Sequence, residues 1–121
     1  MDTDIREKAL FAASFLDSRK AMDITVIDIS EKSGFADCFV IASAASLRQL
    51  EALSSDLDDK MAERGWISGH TEGKGDSGRI LIDFGDVIVN LFTIEQREHY
   101  NLEKLWGDCV RVDFEPAKEQ A

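Results

Sequence analysis

The chain of 121 residues has no apolar run approaching the roughly 20 residues that a membrane-spanning helix requires. It has two cysteines, Cys38 and Cys109, far apart and without a paired Cys or His nearby. That disfavours a zinc site and predicts two buried free thiols in a reducing compartment. Basic residues are also scarce: 14 Lys and Arg stand against 24 Asp and Glu, a formal net charge of −10. The charge argues against direct nucleic-acid binding, which needs a basic surface to meet phosphate, and fits a partner with a basic surface. The start, Met1-Asp2-Thr3-Asp4, is acidic and lacks the charged-then-apolar layout of a signal peptide; import sequences are acid-poor. A bacterial, cytoplasmic protein is the expectation. There is no internal repeat and no linker. What remains is a length suited to one domain, with 44% hydrophobic residues, near the globular average.

The most informative stretch is Gly78–Phe92, where two Ile- and Val-rich runs flank Gly85-Asp86. This spacing predicts a β-hairpin with a two-residue loop. Phe84 then pairs with Val87, Asp83 with Ile88, Leu81 with Asn90 and Arg79 with Phe92. Alternation sorts the side chains onto two faces. One holds Ile80, Ile82, Phe84, Val87, Val89 and Leu91 and is core. The other holds Arg79, Leu81, Asp83, Ile88, Asn90 and Phe92, too apolar for a solvated face and too polar for a core. Such a mixed face suits a surface that something else covers, either a helix of this chain or a separate partner.

Elsewhere, Ile5, Ala9, Ala12, Ala13 and Leu16 recur at helical spacing between about Asp4 and Arg19, with Phe11 and Phe15 widening the apolar stripe. Strands are expected at Ile24–Ile29 and Asp37–Ala42, the second nearly continuous in apolar residues and so central. Asp37 is read as a cap or ion-pair residue. Ser46-Leu47-Arg48-Gln49 is a capping box opening a helix whose buried face is Leu50, Leu53, Leu57 and Met61, stopped by Gly65. Asp56, Asp58 and Asp59 diverge around that helix, since residues two apart differ by roughly 200°. They form a solvated face and no metal site. Trp66-Ile67 is expected to be extended, and Gly69–Gly78 a loop with His70 as a loop histidine. Gly73–Gly78 formally matches G-x-G-x-x-G, but the dinucleotide motif must open a helix, whereas a hairpin follows here. Thr93-Ile94-Glu95-Gln96 caps a further helix, Asn101 recaps a turn carrying Leu102, Leu105 and Trp106, and Gly107 ends it. Val110, Val112 and Phe114 alternate as a short last strand, and Pro116–Ala121 is a polar tail.

Three stretches together resemble the ribosomal silencing factor (Iojap-related) family. They are Ala36-Asp37-Cys38-Phe39-Val40-Ile41, Leu81-Ile82-Asp83-Phe84-Gly85-Asp86-Val87-Ile88-Val89 and Tyr100-Asn101-Leu102-Glu103-Lys104-Leu105-Trp106. The resemblance implies a single α/β domain over residues 1–114, with a flexible tail at 115–121. Its fold is a mixed sheet flanked by helices, nucleotidyltransferase-like without catalytic residues, and it needs no cofactor or metal. It also implies binding to the large ribosomal subunit through ribosomal protein number fourteen, which blocks joining of the small subunit and represses translation. The family usually carries Trp where this chain has Arg79 and His where it has Asn90. Both departures fall on the mixed face, where Arg79 is expected to stack or to pair with a carboxylate.

Contact residues are therefore expected at Arg79, Leu81, Asp83, Ile88 and Asn90, with Tyr100 nearby. The same face suits pairing of two free copies, because an uncovered apolar patch tends to find a partner. Two alternatives stand beside this reading. One is assembly of the large subunit. The other is a nucleotidyltransferase, for which Ala42-Ser43-Ala44-Ala45-Ser46 has the small residues but is followed by no Asp-x-Asp on a strand to hold magnesium.

Overall fold

The computed structural model describes residues 2–74 and 77–112. Phe114, the Pro116–Ala121 tail and the boundary between 114 and 115 lie outside them.

The first helix, α1 (Thr3–Ser18), starts where the Asp2 carboxylate accepts the Asp4 N–H at 2.9 Å. It buries the expected stripe of Ala9, Ala12, Ala13 and Leu16, and half-buries Phe11 and Phe15. Next come β1 (Met22–Asp28) and β2 (Cys38–Ala44), paired antiparallel with a register shift between Met22 and Thr25, where Asp23 adopts φ +48°. Every residue of β2 is buried, as a strand covered on both faces must be. Asp37 acts through its backbone: its N–H donates to the Asp86 carbonyl and its carbonyl accepts from Ile29.

The capping box before α2 (Leu47–Glu63) forms with one displacement. Ser46 Oγ accepts the Gln49 N–H at 3.1 Å, while Gln49 Oε1 accepts from Ala45 N–H at 2.7 Å and not from Ser46. The helix buries Leu50, Leu53, Leu57 and Met61. It ends in a Schellman motif, with Gly65 at φ +87° and Trp66 N–H donating to the Met61 carbonyl. Trp66 closes the end by packing edge-on against Phe11 at 5.5 Å. Asp56 pairs with Arg19 and Asp58 accepts from Ser68, so two of the three helix carboxylates serve local contacts.

No strand forms at Trp66-Ile67, and the expected loop after Gly69 contains one instead. Residues His70–Lys74 form β3, antiparallel to β4 (Arg79–Asp83). An edge strand buries little and needs no apolar alternation, which is why His-Thr-Glu-Gly-Lys hides it. His70 is thus a strand residue, its Nε2 lying 2.9 Å from Glu72 Oε2.

The hairpin to β5 (Val87–Thr93) has the expected register: Arg79 opposite Phe92, Leu81 opposite Asn90, Asp83 opposite Ile88. Phe84 N–H donates to the Val87 carbonyl around the Gly85-Asp86 turn, with Gly85 at φ +89°. Beyond it, α3 (Ile94–Tyr100) is capped by Thr93 Oγ1 from the Gln96 N–H. Asn101 does not recap with its side chain. It turns the chain through φ +46° into α4 (Leu102–Leu105), and β6 (Val110–Val112) then joins the far edge on β1.

The sheet order is β3-β4-β5-β2-β1-β6, with β2 and β5 parallel and the other neighbours antiparallel. Parallel strands leave no room for solvent on either face. The helices α1 and α2 cover one face and complete the larger core around Val40, Val89, Ile82 and Leu91. The segment from α3 through α4 to Cys109 covers the other, over Ile27, Ile41, Phe39, Ile88 and Phe92.

Gly73 supplies a sharp test of this edge. It sits at φ +83°, and a Cβ there would lie 2.2 Å from the Arg79 carbonyl oxygen. Gly73→Ala is expected to pull β3 from β4 at a cost of about 1–3 kcal/mol. Amide hydrogen exchange should speed up in β3 while β2 and β5 keep their protection; unchanged β3 protection would contradict the close approach.

Candidate functional site

The mixed face of the hairpin is where the expected contact residues converge, but they divide by depth. Arg79, Leu81 and Asp83 on β4 are half-buried, and Tyr100 at the end of α3 is 46% exposed. Ile88 and Asn90 are only 6% and 1% exposed. These two are packed within the chain's own interior on this face, which leaves Arg79, Leu81, Asp83 and Tyr100 as the members reachable from outside. A flanking helix of the same chain covers part of the mixed face, and the β3–β4 end of that face stays open.

Asp83 is a turn residue as well as a charge. Its Oδ1 accepts the Gly85 N–H at 2.7 Å, which closes the hairpin. Asp86 contributes its carbonyl to Asp37 and Cys38 N–H, tying the hairpin tip to the start of β2. On the other side of the sheet, Lys8 of α1 donates to the Phe84 carbonyl. The hairpin is held at its tip from both layers.

At the opposite end of β4, Arg79 stacks. Its guanidinium carbon lies 4.8 Å from the Tyr100 ring centroid and 6.0 Å from that of Phe92, and Tyr100 itself packs on Phe92 at 5.4 Å. Arg79 Nε is buried without a hydrogen-bond partner, as are both amide atoms of Asn90. Each such group forfeits about 1–3 kcal/mol relative to a satisfied one, so the face stores unused hydrogen-bonding capacity.

The feature absent from the sequence reading is the clamp that seats this covering segment. Arg97 of α3 makes a two-pronged bond to Glu103 of α4 at 2.9 and 3.1 Å. It also reaches Ser43 Oγ on β2 and Thr25 Oγ1 on β1 at 3.0 and 3.1 Å. Its side chain is 10% exposed. Arg97 and Glu103 are six residues apart across the left-handed Asn101, so no helical spacing links them. Further along, Phe35, Phe39 and Trp106 form an aromatic cluster with centroids 5.4–6.4 Å apart.

The cysteines carry no shared site: burial pushes the Cys38 thiol up to about 12, and Cys109 is half-buried. The small-residue end of β2 opens onto a groove of about 530 Å³ that includes Ser46, Ser77, Thr93 and Glu95. Among the described residues, no three His, Cys, Asp or Glu side chains converge as a metal-binding group.

Hydrogen bonding from Arg97 holds the Glu103 carboxyl below its ordinary value. A folded-state value lowered in this way gives stability that is present above the unfolded value near 4.5 and is lost as pH falls through the folded one. Arg97→Ala is expected to cost about 1–3 kcal/mol at neutral pH, reduced from a fully buried pair by the partial exposure of Glu103. Its stability should also fall less steeply below about pH 4.5 than that of the wild type, checked by urea unfolding across pH. Parallel pH profiles would show that the pair contributes nothing.

Comparisons with known proteins agree with this architecture. The family model described as "Ribosomal silencing factor during starvation" matches residues 2–121. The ribosomal silencing factor of Bacillus subtilis is 36% identical over 104 residues, which is 86% of this chain and 88% of that protein. That of Zymomonas mobilis is 42% identical over 93 residues, covering 76% and 69%. The chloroplastic Iojap protein of Arabidopsis thaliana is 33% identical over 102 residues, 84% of this chain and 42% of the longer relative. Among solved structures, a Chromobacterium violaceum protein superposes with a TM-score of 0.78 at 28% identity over 99% of this chain and 98% of its own. A Bacillus halodurans protein gives 0.76 at 30% identity, over 93% and 100%. From the hairpin to Trp106 and across the whole fold, the chain belongs to the ribosomal silencing factor family.

Proposed function

We propose that this chain is a cytoplasmic, non-catalytic repressor of translation that binds the large ribosomal subunit. It docks through ribosomal protein number fourteen and prevents the small subunit from joining by occupying its space. The observation that carries the reading is the half-covered face at the β3–β4 end of the sheet on a member of this family, with Asp83, Leu81, Arg79 and Tyr100 reachable from outside. A net charge of −10 supports steering toward a basic ribosomal protein. The family's description names silencing of ribosomes and no catalysed reaction, and the fold by itself does not argue for one. Free copies are proposed to meet through the same partly apolar edge, which the ribosome then takes over.

The test is subunit joining followed by sedimentation after adding purified protein to separated subunits. Wild type is expected to reduce the joined fraction. Asp83→Asn keeps an oxygen for the Gly85 N–H but removes the charge, and is expected to restore joining in part, whereas Asp83→Lys should restore it fully. Undiminished joining with wild type sinks the silencing role, and two Asp83 variants as effective as wild type would sink this face. Accumulation of precursor particles on loss of the protein, with joining unaltered, would instead favour the assembly role.

A further inference from the structure

Arg79 is the half-buried arginine without an ion pair among the described residues. Arg19, Arg64 and Arg97 each reach a carboxylate, on Asp56, Glu7 and Glu103, while Arg6, Arg48 and Arg111 are exposed. Among the described residues Arg79 has no such partner; its guanidinium carbon lies 4.8 Å from the Tyr100 ring centroid, on the same face as the unpartnered Asn90 amide. Packing on a ring orders a guanidinium and, with Nε buried, leaves the terminal N–H groups for a planar, two-oxygen acceptor. Resting on the proposed ribosomal role, we infer that Arg79 is a specificity-determining contact for a carboxylate side chain on the partner protein, and that it acts together with Asp83.

The two charges lie on one face of β4, four residues apart, which a strand rise of about 3.3 Å per residue makes roughly 13 Å. The partner must therefore offer an acid and a base at that separation, so docking has a direction along the strand. A protein surface satisfies this pattern better than RNA. In the register Lys74 of β3 stands opposite Arg79, Glu72 opposite Leu81 and His70 opposite Asp83, so two basic positions lie at one end of this face and Glu72 and Asp83 further along. A polyphosphate laid along the strand would pass from that basic end onto the carboxylates, whereas a basic protein places one acid among its lysines and arginines without penalty.

The experiment measures binding to isolated recombinant protein number fourteen and, in parallel, to whole large subunits. Arg79→Glu is expected to weaken both by about tenfold or more, and neutral Arg79→Gln by less. Lys60→Glu on α2, which changes net charge equally but lies off this face, should bind as wild type does. Reversing the facing acid on protein fourteen to Lys should restore binding of Arg79→Glu, a rescue that a merely structural role cannot give. If Arg79→Glu fails to fold, Arg79→Gln with the same reversal decides.

Wild-type affinity in Arg79→Glu overturns the inference while leaving the ribosomal role intact. Loss on whole subunits with unchanged binding to the isolated protein also overturns it, since the anion is then an RNA phosphate. Wild type that binds neither target removes the ribosomal reading and this inference with it.

Discussion

The two-residue turn at Gly85-Asp86 sets the register of β4 against β5, and both faces of the sheet depend on that register. A slip of one residue would carry Ile80, Ile82, Val89 and Leu91 to the outside and place Arg79 and Asp83 against α1 and α2. The turn is accordingly secured by more than its own hydrogen bond. Asp83 closes it from within, Asp86 ties it to β2, and Lys8 of α1 reaches its Phe84 carbonyl. Each contact comes from a different element, so the hairpin cannot shift without breaking several at once.

Pairing β5 with β2 in parallel has a second consequence. Both strands are buried on both sides, so the chain must supply two covering layers from little more than a hundred residues. Two long helices complete one layer. For the other, only the short α3 and α4 and the turn after them remain, and they cannot span six strands. The clamp of Arg97 on Glu103, Ser43 and Thr25 fixes that small layer over β1 and β2. The β3–β4 end of that face is left only half-covered. A surface that the protein cannot cover itself is a physically sensible place for a partner.

The same logic explains what was legible in the sequence. Ile80, Ile82 and Phe84 alternate with polar residues, and Leu50, Leu53, Leu57 and Met61 recur at helical spacing, because burial on one side imposes those periods. Gly65 and Gly85 mark backbone turns at positive φ that favour glycine. The strand at His70–Lys74 was invisible because residues 70–73 are exposed and the pairing to β4 is made by backbone. Burial of Asn90 and Ile88 was equally invisible, since it depends on a corner at Asn101 and an ion pair spanning it. Long-range geometry of that kind leaves no trace in local spacing. Hence the candidate surface was identified as a face, while the division of that face into reachable and buried residues had to come from the structure.

Order already present on the docking edge bears on how tightly it can bind. A flexible surface side chain loses about 0.5–1.5 kcal/mol of rotamer freedom when a partner immobilises it. Arg79 has given up much of that freedom by lying on Tyr100, and Asp83 by bonding to Gly85, before any partner arrives. Tyr100 is in turn seated on Phe92, whose side chain is fixed in the second core. The entropic cost was met by folding, within a domain whose sheet is pinned on both sides. An edge carrying few charges can therefore be selective, provided that they are held at a fixed separation. On the proposed docking, the acidic surplus elsewhere would act to bring a basic partner close, a long-range effect that sets encounter rate more than the final fit.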